Sequence, residues 1–348
     1  MMRYFKSWHH LIHGIVLGVV MLLNHGCTVA QNEVTTSGRS IAVNEEPYFI
    51  KGICYHPVNK GETLRSFDHL DKDLELMSEA GINTIRVYSP IDDESVLDRI
   101  HTKGMKIIMG IGYNEEGRYD IRSGSFVQYV RKYKNHPALL FWELGNEYNY
   151  HPEWFEGDIT NWYKALTKAI DTIHAIDPRH PVATAHGEIP DSLAMAMIQN
   201  IDLWGLNLYR WDQPQTAIKE WLKLSDKPMY FSEVGADSYM KKSVADLSEG
   251  VNEKAQARAN QTILDSILQH SHNVCGLAVF SFTDGWWKAG NPNQQDVGGW
   301  APNSSGVPYD GAPNEEFWGI VNIERNKKLT YDVLKSRFIK TTIKPKGK

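Results

Sequence analysis

Two glutamates that stand at the ends of strand-like runs are the residues best able to do chemistry in this chain. Glu147 lies in ALLFWELGNEYN, residues 138–149. The run from Ala138 to Leu144 is apolar, follows His136-Pro137 and is too short for a free-standing helix, so it reads as a strand buried on both faces. Gly145 lets the backbone turn sharply, and Asn146 and Glu147 leave the strand as an amide and a carboxyl side by side. A carboxyl at the mouth of an apolar strand is costly unless something there uses it. Glu233 ends a similar run in PMYFSEVGAD, residues 228–237. The Asn-Glu dipeptide recurs at 32–33, 44–45, 114–115, 252–253 and 314–315, so strand context separates Glu147 from its copies. Asn114-Glu115, after the apolar GMKIIMGIGYN (104–114), is its main competitor, and Glu115 and Glu116 are secondary candidates for reaching a ligand.

Cleavage of a glycosidic bond needs one carboxylic acid to protonate the leaving oxygen and a second carboxylate to attack or to activate water. Glu147 and Glu233 supply such a pair if both reach one site. Arg86 offers a fixed positive charge to hold Glu233 ionised, and Tyr209 a hydrogen bond to it. Glu147, crowded by a second carboxylate, is then the group whose pKa rises, which suits an acid.

The elements that position these groups alternate. Strand-like runs at 49–55, 82–88, 105–111, 138–145, 181–185, 202–208, 228–232 and 274–282 are separated by helical candidates at 67–80, 92–103, 124–134, 158–176, 191–199, 214–224, 243–271 and 329–339. Ser66, Asp92 and Asp191 are cap-type residues at helix starts, and Gly81 and Gly104 stand just past two ends. The pattern predicts one α/β domain, a single (β/α)₈ TIM barrel over 31–341, with a short hairpin (40–43 and 47–50) plugging its bottom. A doubly wound open sheet needs a phosphate-cradling glycine loop after strand one, and Cys54-Tyr55-His56-Pro57 is not that. After strand eight a long loop, Asp284 to Lys328, holds Trp286, Trp287, Trp300 and Trp318, and its aromatic content favours an ordered wall.

Barrels place their chemistry at the C-terminal strand ends. There the sequence puts Glu147 and Glu233 as the catalytic pair, with Arg86, Asn146, Tyr209, Trp286, Trp287, Tyr55, His56 and Tyr88 as substrate-binding candidates. Trp286 and Trp287 suit stacking on sugar faces, whereas Trp142 and Trp204 read as core. Glu143 lies roughly 13 Å deeper than Glu147 by strand rise and reads as a structural ion-pair partner. No metal site is expected, since strand one lacks a His-x-His end and the histidines are dispersed. No cofactor is implied.

These residues resemble the retaining glycoside hydrolases of clan A. The resemblance lies in Phe49-Ile50-Lys51-Gly52, AGINTIRVYS (80–89), NHPALLFWELGNE (135–147), DLWGLNLYRW (202–211) and PMYFSEVGAD (228–237). The nearest patterns are the catalytic barrel of glycoside hydrolase family 2 and the β-1,3-glucanosyltransferases of family 72. The resemblance implies Glu147 as acid/base, Glu233 as nucleophile, Asn146 on the sugar 2-hydroxyl, Tyr209 orienting Glu233 and Arg86 supporting that pair. It also implies hydrolysis of a β-linked glycan, with β-glucan favoured, by double displacement. Tyr148 stands where many relatives have Pro and Val234 where many have Tyr. Strand eight ends in Phe282-Thr283 where an indole is common, so Trp286 or Trp287 is expected to take over that platform. Transglycosylation by the same residues and a non-catalytic carbohydrate-binding barrel are the alternatives.

Composition fits this reading. The chain has 348 residues, 42% hydrophobic and 23% charged, and its net charge of −5 gives no electrostatic reason for a nucleic-acid partner. Arg3 and Lys6, the apolar run Leu11 to Leu23 and Thr28-Val29-Ala30 read as a signal peptide over 1–30, too short to span a membrane, so export is expected. A lipid anchor at Cys27 is the weaker alternative, because Leu23 sits one place too far for the usual lipobox. Residues 342–348 form a basic tail. Cys54 and Cys275, on neighbouring parallel strands, should lie roughly 16 Å apart along the barrel axis, too far for a disulfide. Nothing in the sequence sets an oligomeric state.

Overall fold

Strands apolar on both faces need cover on both sides, and a closed barrel with an outer helix layer supplies it. The computed structural model describes residues 32–113, 118–298 and 314–341. The expected signal segment with Cys27, the basic tail, Glu115, Glu116 and Trp300 lie outside the described residues.

A three-stranded antiparallel sheet comes first, β1 (Val34–Ser37), β2 (Ser40–Val43) and β3 (Glu46–Tyr48). The chain then runs β4 (Ile50–Cys54), α1 (Leu70–Glu79), β5 (Thr84–Val87), α2 (Glu94–Thr102), β6 (Lys106–Ile111), α3 (Phe126–Tyr133), β7 (Leu139–Asn146) and α4 (Ile159–Ile176). It continues with β8 (Val182–Gly187), α5 (Ser192–Met197), β9 (Leu203–Asn207), α6 (Pro214–Leu224) and β10 (Met229–Val234). A small hairpin, β11 (Tyr239–Met240) and β12 (Gly250–Val251), precedes α7 (Glu253–Gln269), β13 (Gly276–Val279) and α8 (Leu329–Lys340). Strands β4 to β10 and β13 close into one barrel in the order β10-β13-β4-β5-β6-β7-β8-β9. Every neighbouring pair in it is parallel.

All the expected barrel strands form, and the bottom plug is larger than a hairpin. β1 was not foreseen, and Ile50 belongs to the first barrel strand instead of the plug. Val34, Ile41 and Val43 of the plug pack with Ile50, Ile108, Phe141, Leu203 and Tyr230 from the barrel strands, which seals the lower end with apolar surface. Helix starts differ from expectation at two places. α1 begins at Leu70 without a side-chain cap, and α2 is capped by Asp93, not Asp92. Asp191 does cap α5, and Gly81 and Gly104 adopt φ of 75° and 74° just past α1 and α2. The helix expected over 243–271 is shorter, because Gly250–Val251 pairs as a strand and Asn252 caps α7.

Alternation along the strands decides what reaches the barrel interior. In β4, Cys54 faces inward, where its Sγ meets the Ser232 carbonyl, while Ile53 and Tyr55 join the cluster beneath α1. Two strands break the alternation just before their glutamates. Between Glu143 and Asn146 the register of β7 slips by one residue against β8, and between Phe231 and Glu233 that of β10 slips against β9. Such irregularities re-aim side chains, and here they turn Asn146 and Glu233 toward the mouth. Cys54 and Cys275 are both buried and free, as expected.

Candidate active site

Arg86 forms the base of the site. It is wholly buried inside the barrel, with Nε 2.9 Å from Glu143 Oε1, Nη2 2.7 Å from Asn146 Oδ1 and Nη1 2.8 Å from Glu233 Oε1. Glu143 is the deep ion-pair partner that its position in the strand suggested, and Tyr230 also donates to it. Arg86 does not reach the cavity above, so it positions the site instead of binding a ligand; strand alternation put it inside, and its length is taken up by three acceptors.

Three donors converge on Glu233. Besides Arg86, Tyr88 donates at 2.7 Å to Oε1 and Tyr209 at 2.7 Å to Oε2. The two oxygens of a carboxylate offer enough lone pairs to accept all three.

Glu147 stands differently. Its backbone is left-handed, φ 55° and ψ 22°, in a residue with a Cβ, and its N–H donates to the Ala185 carbonyl at 2.8 Å. Residues held in this region cluster at functional sites. Gly145 makes the turn possible: its own φ is 74°, and a Cβ there would meet the Trp162 ring at 2.6 Å. Burial pushes the Glu147 carboxyl up to about 8, aided by the charge of Glu233 and, more weakly, of Glu315. A hydrogen bond with Asn207 and the charge of Arg86 pull the other way. The same Asn207 donates to Asn146 Oδ1 at 3.0 Å and accepts from Ser232 at 2.6 Å. Because Asn146 Oδ1 is taken by Arg86 and Asn207, the amide NH₂ is what Asn146 can offer to the cavity it lines.

Glu147 and Glu233 line one cavity of about 370 Å³ at the C-terminal strand ends. Of the sequence-predicted binding residues, Asn146, Tyr209, Tyr88, His56 and Trp287 line it with them. His56 packs on Trp287 with ring centroids 5.0 Å apart, and burial lowers its pKa to about 4, with Arg65 and Lys288 adding to the effect. Besides Arg86, two expected residues do not reach the cavity. Tyr55 follows the strand alternation outward, donates to Asp73 Oδ2 at 2.8 Å and is buried against the helix layer. Trp286 turns away from its neighbour and lies under Lys60, whose Nζ is 4.6 Å from the ring.

The long loop after β13 contributes more than its predicted platform. Trp318, Glu315 and Lys288 all line the cavity, and Trp318 packs edge-on against Tyr209 at 5.3 Å and Phe280 at 5.5 Å. Phe280 and Trp318 thus form the aromatic wall beside Tyr209, while Phe282 packs on Tyr55. Trp318 carried a signal as one of the loop indoles; nothing in the aperiodic loop placed Lys288 or Glu315. Among the described residues no group of three or more His, Cys, Asp or Glu is placed to hold a metal ion.

These features define a (β/α)₈ barrel with a carboxyl pair at its C-terminal mouth. The chain matches the family described as glycosyl hydrolases family 2, TIM barrel domain, over residues 34–252, and it belongs to that family. It is 23% identical over 310 residues to a β-glucuronidase of Paenibacillus borealis, covering 76% of this chain and 48% of the relative. It is 24% identical over 238 residues to the 1,3-beta-glucanosyltransferase GAS4 of Saccharomyces cerevisiae, covering 57% of this chain and 50% of that one. The chain therefore spans about half the length of these curated relatives. The fold is shared with the crystal structure of a family 2 β-galacturonidase from Eisenbergiella tayi bound to galacturonate, at TM-score 0.66 and 20% identity, covering 89% of this chain and 54% of that one.

Proposed function

We propose that the protein is an exported retaining β-glycoside hydrolase acting on a β-linked oligosaccharide or polysaccharide. The observation that carries the reading is the contrast between the two carboxyls of one cavity: Glu147 raised to about 8, Glu233 gripped by three donors. Glu147 protonates the leaving oxygen, and Glu233 attacks the anomeric carbon to give a glycosyl-enzyme. Glu147, now deprotonated, takes a proton from the water that releases the sugar. Asn146 presents its amide to the 2-hydroxyl, and Tyr209 and Tyr88 hold Glu233 for attack.

β-Glucan, including β-1,3-linked glucan, is the favoured substrate; the resemblance to family 72 and the 24% identity to a 1,3-beta-glucanosyltransferase support it. The same relative keeps transglycosylation as the second reading, distinguished by oligosaccharides longer than the donor appearing before monosaccharide. Export rests on the N-terminal pattern of Arg3, Lys6, the apolar run and Ala30. A mature N-terminus at Gln31 is its test.

Proton NMR of the first-formed anomer from aryl β-glycosides and laminari-oligosaccharides tests the mechanism. Retention is expected of a pair acting by double displacement; carboxyls in retaining enzymes stand about 5 Å apart, too close for an inserted water. Glu147→Gln and Glu233→Gln should each remove turnover. An inverted first product, or activity that survives Glu233→Gln, would overturn the reading.

A further inference from the structure

Resting on the glycosidase reading above, we propose that the cavity takes an uncharged sugar unit and rejects a uronic acid, with Lys288 and Glu315 as the pair that sets this choice. The proposal departs from the uronidase names of the Paenibacillus borealis and Eisenbergiella tayi relatives.

A uronate brings a carboxylate into the cavity and needs an uncommitted cation to meet it. Among the described residues lining the cavity, Lys288 is the only lysine or arginine, and three carboxyls, Glu147, Glu233 and Glu315, share the wall with it. Lys288 is already committed. Its Nζ lies 3.2 Å from Glu315 Oε2, with the two side chains 20% and 12% exposed, and 4.1 Å from the centre of the Phe280 ring.

Among the described residues, the neighbouring cations are committed too. Arg86 is divided between Glu143 and Glu233. Arg65 donates to the carbonyls of Ser89 and Pro90 at 2.8 and 2.6 Å, and Lys60 sits over Trp286. His56, lowered to about 4, is neutral at ordinary pH. The sequences 114–117 and 299–313 hold Glu115, Glu116 and Asp310 and no Lys, Arg or His, so they bring no positive charge. A uronate would therefore enter a cavity whose cations are matched or outnumbered by carboxylates. A neutral sugar meets no such penalty, because each hydroxyl both donates and accepts: one can accept from Lys288 and donate to Glu315.

The test compares kcat/KM of the full chain for p-nitrophenyl β-glucoside, β-galactoside and β-glucuronide. The best neutral substrate should exceed the glucuronide by about 100-fold or more, as expected where a like charge is built against the wrong ligand. Glu315→Gln frees Lys288 and should move the glucuronide-to-neutral ratio upward by about tenfold. Lys288→Met should weaken the neutral substrate through KM and leave the glucuronide no better. A glucuronide turned over as well as every neutral glycoside, or a ratio that Glu315→Gln leaves in place, overturns the proposal. Saturation-transfer NMR on Glu147→Gln with laminaribiose and with glucuronic acid separates the two levels. Laminaribiose bound without turnover by the native chain sinks only the glycosidase reading; glucuronic acid bound in preference, or neither sugar bound, sinks this inference.

Discussion

Arg86 holds Glu143 and Glu233 at once, with guanidinium nitrogens 2.8 Å from an oxygen of each, and all three are buried. One cation from β5 thus ties the acid in the middle of β7 to the acid at the end of β10. The Glu233 carboxyl is held from below by a residue that does not line the cavity, and Glu143 fixes the fork of Arg86.

Breaking that arrangement from the centre leaves two carboxylates buried without their cation. Arg86→Met should cost about 3–5 kcal/mol of stability, the usual cost of orphaning a buried charge. Denaturant unfolding followed by circular dichroism measures it. Arg86→Lys keeps the charge and loses the fork, so it should recover part of the stability while turnover stays low. Native-like unfolding of Arg86→Met would contradict the account.

The rate should depend on pH through Glu147. An acid with its carboxyl at about 8 carries its proton below that pH and loses it above, so kcat/KM should fall on the alkaline side with a limb near 8. Burial is the main cause and the charges of Glu233 and Glu315 add to it, so Glu315→Gln should move the limb to lower pH. A pH profile of kcat/KM with an aryl glycoside of poor leaving group reads both; a limb unchanged in Glu315→Gln would remove Glu315 from the electrostatics of the acid.

Two tyrosines of neighbouring strands offer a matched pair of variants. Tyr88 donates to Glu233, whereas Tyr55 donates to Asp73 behind the barrel wall. Tyr88→Phe removes a hydrogen bond to a charged group, worth about 1.5–3 kcal/mol, and should lower kcat by roughly ten- to a hundredfold. Tyr55→Phe should leave kcat and KM near native values and lower stability by about 1.5–3 kcal/mol, visible in thermal unfolding. Equal kinetic losses would show that the outward placement of Tyr55 is wrong.

The barrel was readable in the sequence because each strand is a short apolar run followed by an amphipathic helix, and that period survives any detail of packing. Glu147, Glu233, Asn146 and Tyr209 were readable for the same reason, since each closes such a run. Tyr55 was misread because proximity to a strand end says nothing about which face a residue takes; one position of alternation separates it from Cys54. Trp286 and Trp287 are adjacent in a turn, which has no alternation to show that only Trp287 lines the cavity. Lys288, Glu315 and Trp318 sit in a loop with no period, where only tertiary contacts fix position, and Asn207 looked like an ordinary strand-end amide until its partners were visible. The plug strand β1 is four residues long and three of the four are polar, too weak a pattern to stand out.

Gly145 carries the most direct test of how Glu147 is aimed. The glycine has φ 74°, and a Cβ built on it meets Trp162 Cζ2 at 2.6 Å and Tyr148 Cδ2 at 2.9 Å. Both rings belong to the cluster that packs β7 on α4, so neither is a free side-chain end able to yield. Gly145→Ala therefore has to shift backbone, and the next two residues are Asn146 and Glu147, the second already held in a left-handed conformation. Displacing an acid by about 1 Å costs on the order of 100-fold in rate, so kcat should fall by at least that much. The plug seals the lower part of the barrel with its own apolar cluster, so the unfolding transition should stay cooperative though weakened by about 1–3 kcal/mol. Gly145→Ala with native kcat would mean that the turn does not set the position of Glu147.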